Sequence, residues 1–82
     1  MARLSANQEI LLLLMIDEAD RWWTAAAARV RWPTDSAPNC VALGIALRGL
    51  WSRGLTHREH GPPSSYRLNH GGKLAAKELK NG

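Results

Sequence analysis

Phenylalanine is absent from these 82 residues, and tyrosine and cysteine each occur once. A lone thiol, Cys40, excludes an internal disulfide, so the chain reads as a protein of a reducing compartment, the cytoplasm. No CxxC or HxxxH spacing links Cys40, His57, His60 and His70, so the usual structural zinc pattern is missing and no metal or other cofactor is expected. The longest apolar run, Ile10 to Ile16, spans seven residues. A bilayer needs roughly 20, which excludes a transmembrane helix and leaves no membrane partner. Asp17, Glu18 and Asp20 follow that run where a signal peptide would carry a small-residue cleavage site. No local nucleophile–base motif is present, and these three carboxylates read as a solvated helix end, so no catalytic residue is expected and the chain is read as not an enzyme.

A chain of this length buries only about 60–65% of its unfolded surface, which suits one domain over residues 1–82 and leaves no room for a large substrate cavity. Eleven Lys and Arg stand against seven Asp and Glu, a formal charge of +4 that favours an anionic partner. The charge is uneven. Residues 1–21 carry Arg3 and Arg21 against Glu9, Asp17, Glu18 and Asp20, or −2. Residues 22–53 carry Arg29, Arg31, Arg48 and Arg53 against Asp35, or +3. Residues 54–82 carry Arg58, Arg67, Lys73, Lys77 and Lys80 against Glu59 and Glu78, again +3. The anion-facing surface therefore belongs to the middle and the end of the chain.

Ser5-Ala6-Asn7-Gln8 matches a capping box, so a first helix starts after Ser5 and runs to about Ala19. Its apolar residues fall on more than one stripe, with Leu12, Met15, Ile16 and Ala19 on one and Ile10, Leu13 and Leu14 on another. A helix apolar all round is buried on more than one side. In so small a chain the second side points to a homodimer through Leu12, Met15 and Ile16, with Trp22 and Trp23 beside them. Trp22 and Trp23 form a short extended or turn segment, and Thr24 caps a second helix from Ala25 to about Arg31. A third helix starts at Ser36 as N-cap, with Pro38 in its first turn, and runs to Arg53 before Gly54. Leu43, Ala46, Leu47 and Leu50 are its inward stripe. The segments 55–59 and 65–68 read as paired strands around a Gly61-Pro62-Pro63-Ser64 tip. Asn69 caps a last helix over His70 to Lys80. The expected fold is mainly α with a small β-hairpin (α+β), in the order helix, helix, helix, hairpin, helix.

Three stretches at the joints of that order carry a family likeness. Leu43-Gly44-Ile45-Ala46-Leu47-Arg48-Gly49-Leu50-Trp51-Ser52-Arg53-Gly54-Leu55 looks like a recognition helix turning into a wing. Tyr66-Arg67-Leu68-Asn69-His70-Gly71-Gly72-Lys73-Leu74-Ala75 looks like the exit from that wing, and Thr24-Ala25-Ala26-Ala27-Ala28-Arg29-Val30 fits the helix before the turn. Together they resemble the winged helix-turn-helix domain of bacterial transcription regulators of the MarR and PadR kinds, over residues 5–80. The resemblance implies binding to double-stranded DNA, with the third helix in the major groove and the hairpin on the flanking backbone. Transferred residue by residue, it makes Arg58 and Arg67 wing clamps on phosphate, and Arg29 and Arg31 further phosphate partners. The resemblance also puts His57 and His60 on the wing, with His60 a further DNA-binding candidate. Thr34, Ser36 and Asn39 become base-edge readers at the helix start, joined by Arg48.

The third helix departs from that pattern on its outer face, which shows Cys40, Val41, Gly44 and Ile45 where polar readers are the rule. That face allows an alternative, a winged-helix module that binds a protein partner. The four tryptophans, Trp22, Trp23, Trp32 and Trp51, read as core and interface anchors before base-stacking platforms, and one or two stay partly exposed. Cys40 reads as a small buried hydrophobe before a redox sensor. Gly44 and Gly49 each cost a helix interior about 1 kcal/mol against alanine, and mark either close approach of an outside backbone or tight packing on the first helix.

Overall fold

The structure, a computed structural model, describes residues 3–82, so the first two residues of the expected domain lie outside the described residues. It is a small α+β fold with α1 over Ala6–Ile16, α2 over Ala25–Val30, α3 over Cys40–Ser52, β1 over Thr56–Glu59, β2 over Ser65–Leu68 and α4 over His70–Asn81. The expected element order holds, and so do most of the caps. At α1 the Gln8 N–H donates to Ser5 Oγ at 3.2 Å while the Ser5 N–H donates to Gln8 Oε1 at 2.9 Å. Thr24 Oγ1 accepts from the Ala27 N–H at 3.1 Å and starts α2.

Two helix boundaries differ from the sequence reading. α1 stops at Ile16, three residues before Ala19, and 17–20 form a turn. Acidic side chains are unfavourable at the negative end of a helix dipole. Released from the helix, Asp17, Glu18 and Asp20 all reach basic partners instead. α3 begins at Cys40 and not after Ser36, because Asn39 takes the cap and its Oδ1 accepts from the Ala42 N–H at 2.8 Å. Proline disfavours helical backbone in the residue before it, so Pro38 holds Ala37 out of a helix, and asparagine caps as well as serine does. Residues 31–39 thus form a long connection from α2 to α3.

The strands pair antiparallel, with Thr56 opposite Leu68, His57 opposite Arg67, Arg58 opposite Tyr66 and Glu59 opposite Ser65. Trp23 joins them as a one-residue bridge: its N–H donates to the Tyr66 carbonyl at 2.7 Å, and the Tyr66 N–H returns to the Trp23 carbonyl at 2.8 Å. Gly54, with φ +75°, makes the left-handed turn that ends α3. Asn69 then ties the hairpin exit to that turn, since its Nδ2 donates to the Gly54 carbonyl at 2.7 Å and its Oδ1 caps α4 through the Gly72 N–H at 2.8 Å. α4 seats so closely that a Cβ at Gly72 would run into the Leu55 carbonyl.

One core holds the layers together, built from Leu11, Leu12 and Met15 of α1, Leu43, Ala46, Leu47 and Leu50 of α3, and Trp23, Ala28, Tyr66, Leu68 and Ala76. Each large aliphatic side chain buried there contributes roughly 1.5–3 kcal/mol relative to exposure. Leu12, Met15 and Trp23, expected at a dimer interface, are core residues, buried within their own chain. Ile16 is half-buried against the same cluster. The sequence reading missed the cover: α4, far along the chain, packs on α1 and closes its second side.

Candidate functional site

The inward stripe of α3 leaves Val41, Ile45 and Arg48 outward at i, i+4 and i+7, with Cys40 and Gly44 beside them. Val41 is 72% exposed and Ile45 68%. Cys40, expected to be buried, is exposed at the first position of α3, one turn before the core residue Leu43. The two α3 glycines separate cleanly. A Cβ at Gly49 would run into the Gln8 side-chain amide, so this glycine serves packing on α1. A Cβ at Gly44 would meet nothing within 4 Å. Packing within the chain gives no reason for that glycine.

Beside the start of α3 an open cleft of about 500 Å³ runs to α2, lined by residues that include Arg29, Trp32, Thr34, Asp35 and Cys40. Thr34, Ser36 and Asn39 are all exposed along the 31–39 connection. The Oδ1 of Asn39 is taken by the helix cap, leaving its amide nitrogen as the group turned to solvent chemistry.

Basic side chains divide into two groups. Glu18 holds Arg21 at 3.0 Å and Arg31 at 3.1 Å, Asp20 holds Lys73 at 3.5 Å, and Asp17 holds Lys80 at 3.3 Å. Exposed pairs of this kind contribute only about 0–1 kcal/mol each, so their consequence lies in where charge is cancelled. Arg31, expected as a phosphate partner, is thereby engaged with Glu18. Arg29 and Arg48 are exposed and have no ion pair among the described residues.

The hairpin arginines do not form one clamp. Side chains alternate across a strand, and the register sets Arg58 with Tyr66 on one face and Arg67 with His57 on the other. The Arg58 guanidinium lies 4.9 Å from the Trp51 ring centre and 6.0 Å from that of Tyr66, its Nη2 is 3.5 Å from Ser64 Oγ, and its Nε is buried without a partner. It fastens the hairpin to the end of α3. Arg67 lies 4.8 Å over Trp22, and Arg21 4.6 Å over Trp23. A guanidinium over an aromatic face contributes about 0.5–2 kcal/mol, depending on its exposure. Trp22 and Trp51 keep 36% and 39% of their surface exposed, but each already carries an arginine on its ring. His60 is exposed just beyond β1.

The stacked pairs and the Glu18–Arg31 pair were not anticipated from the sequence. The alternation of Arg58 with His57 and Glu59 was the available signal, since strand parity alone forbids Arg58 and Arg67 a common face in this register. Among the described residues no group of three or more His, Cys, Asp or Glu side chains could hold a metal ion, and no helix is long and apolar enough to cross a membrane. No known protein family, curated protein or solved structure matches the chain.

Proposed function

We propose that the chain is a cytoplasmic winged helix-turn-helix domain that binds duplex DNA as a small transcriptional regulator, with α3 in the major groove and the hairpin as the wing. The observation that carries this reading is the separation of charge. The carboxylates of the 17–20 turn take up Lys73, Lys80, Arg21 and Arg31, while Arg29 on α2, Arg48 on the outward face of α3 and Lys77 on α4 have no ion pair among the described residues. The order of elements, three helices, a hairpin and a fourth helix, supports the same reading.

The proposal gives the residues of the site these roles. Arg29 and Arg48 contact phosphate or base edges, and Thr34, Ser36 and the Asn39 amide lie along the approach to α3. Arg58 positions the wing through Trp51, and Arg67 serves the other hairpin face beside Trp22. Binding to a generic duplex, followed by fluorescence anisotropy across a salt series, tests the proposal. Affinity should fall with a slope of about −0.9 per phosphate contacted in a plot of log K against log salt. No detectable binding at low salt overturns it.

Val41 and Ile45 favour a second reading, the same fold used to hold a protein partner on α3. Recovery of one stable protein partner, together with absent duplex binding, would establish that reading in place of the first. A homodimer is a separate proposal. It now rests on Ile10, Leu13 and Leu14, which with Asp17 and Pro33 line an open groove of about 240 Å³ on α1. Sedimentation giving a stable monomer at micromolar concentration refutes it.

A further inference from the structure

We infer that the outward face of α3 reads the C5 methyl groups of thymine in the major groove, an inference that rests on the DNA reading above. Of the outward residues Cys40, Val41, Gly44, Ile45 and Arg48, only Arg48 carries strong hydrogen-bond donors. Every base pair shows donors and acceptors in the major groove, and thymine alone among the four bases adds a methyl. Valine and isoleucine have nothing to offer the polar edges. Laid against them, they would desolvate groups whose lost hydrogen bonds they cannot replace. Against a thymine methyl they bury apolar surface on both sides. The aliphatic pair therefore discriminates by methyl count, and Arg48 one turn further on supplies a phosphate contact at the groove wall.

Gly44 lies beside Val41 and Arg48 on the helix surface, three residues after the one and four before the other. Glycine weakens a helix interior relative to alanine, and here no neighbour among the described residues requires it, since an added Cβ has nothing within 4 Å. Its effect is a dent in the exposed surface, which lets α3 sit closer to whatever it faces. The charge pattern selects the occupant. An apolar stripe bordered by Arg48, with Arg29 on the adjacent helix and neither bearing a carboxylate partner among the described residues, matches a groove floor of methyls walled by phosphates. An apolar helix of a protein partner would leave those guanidinium groups unanswered.

The test compares the full chain on two alternating duplex polymers, poly(dA-dT) and poly(dA-dU), at one low salt concentration. The two differ only in the thymine methyl. Each methyl covered is worth about fourfold in affinity, so two covered by Val41 and Ile45 should make the thymine polymer roughly fifteenfold the tighter ligand. Equal affinities, or tighter binding to the uracil polymer, overturn methyl reading and leave DNA binding standing. Absence of binding to both polymers overturns DNA binding itself. The double variant Val41→Ala, Ile45→Ala alters only exposed side chains and should keep the wild-type circular dichroism and salt slope. Its affinity for the thymine polymer should fall to that for the uracil polymer. A preference that survives both substitutions removes α3 as the reader.

Discussion

α1 and α3 are the two strongly apolar helices of this chain, and they end in opposite situations. α1 is apolar around its circumference, yet its inner residues Leu11, Leu12 and Met15 are fully buried because α3 lies on one side and α4 closes another. α3 buries Leu43, Ala46, Leu47 and Leu50 just as thoroughly, but among the described residues Val41 and Ile45 stay exposed, at 72% and 68%. An apolar stripe by itself does not mark an interface. What sets the two helices apart is charge: the carboxylates after α1 pair with Lys80, Lys73, Arg21 and Arg31, whereas Arg48 on the outward face of α3 has no ion pair among the described residues.

The sharpest way to break this comparison is to truncate one residue from each helix. Leu12→Ala should lower unfolding free energy by about 2–5 kcal/mol, the range for a large aliphatic removed from a packed core. That is a large part of the ~5–15 kcal/mol a small domain has in total. Ile45→Ala should change it by no more than about 0.5 kcal/mol, as for an exposed position. Urea denaturation of both variants decides the matter, and similar losses would mean that α3 is covered after all.

A second contrast sets two glycines against each other. Gly72→Ala pushes a methyl into the Leu55 carbonyl and against the Leu68 side chain, so it should destabilise by about 1–3 kcal/mol. Gly44→Ala places the same methyl in open space and should stabilise α3 by up to about 1 kcal/mol. The same Gly44→Ala variant should bind duplex DNA more weakly, because the dent is filled. Stability and binding moving in opposite directions is the expected signature, and a tighter complex would argue that the glycine has no part in the contact.

The sequence was most legible where a signal is local. The caps at Ser5, Thr24 and Asn69 are short-range hydrogen bonds written in residue types, and each is present. Where two local signals competed, the reading slipped: Ser36 and Asn39 are both good caps, and Pro38 between them decided for Asn39. The same happened at the end of α1, where apolar spacing continued to Ala19 but three acidic residues favoured a turn. What could not be read was anything joining distant segments. Asp17 and Lys80 lie 63 residues apart in the chain, and no periodicity announces such a pair. The cover of α1 by α4 is of this kind, which is why Leu12, Met15 and Trp23 looked like interface residues. At the candidate site, composition puts the excess of positive charge in the middle and end of the chain, but it does not show that Lys73 and Lys80 are held by Asp20 and Asp17. Only the strand register showed that Arg58 and Arg67 face opposite ways and that Arg58 stacks on Trp51.

The smallest expected effect tests the charge half of the comparison. Arg48 has no ion pair among the described residues and Lys80 is tied to Asp17, so removing either deletes one positive charge and changes the net charge equally. If binding responded to net charge alone, Arg48→Ala and Lys80→Ala would weaken it alike. If position governs, Arg48→Ala should reduce the magnitude of the salt slope by about 0.9, the share of one phosphate contact, and Lys80→Ala should leave that slope unchanged. Stability should barely register either change, since an exposed pair such as Asp17–Lys80 contributes at most about 1 kcal/mol and is weakened further by salt. Matched slopes in the two variants would remove α3 from the contact surface, and its bare apolar stripe would then belong to a protein partner.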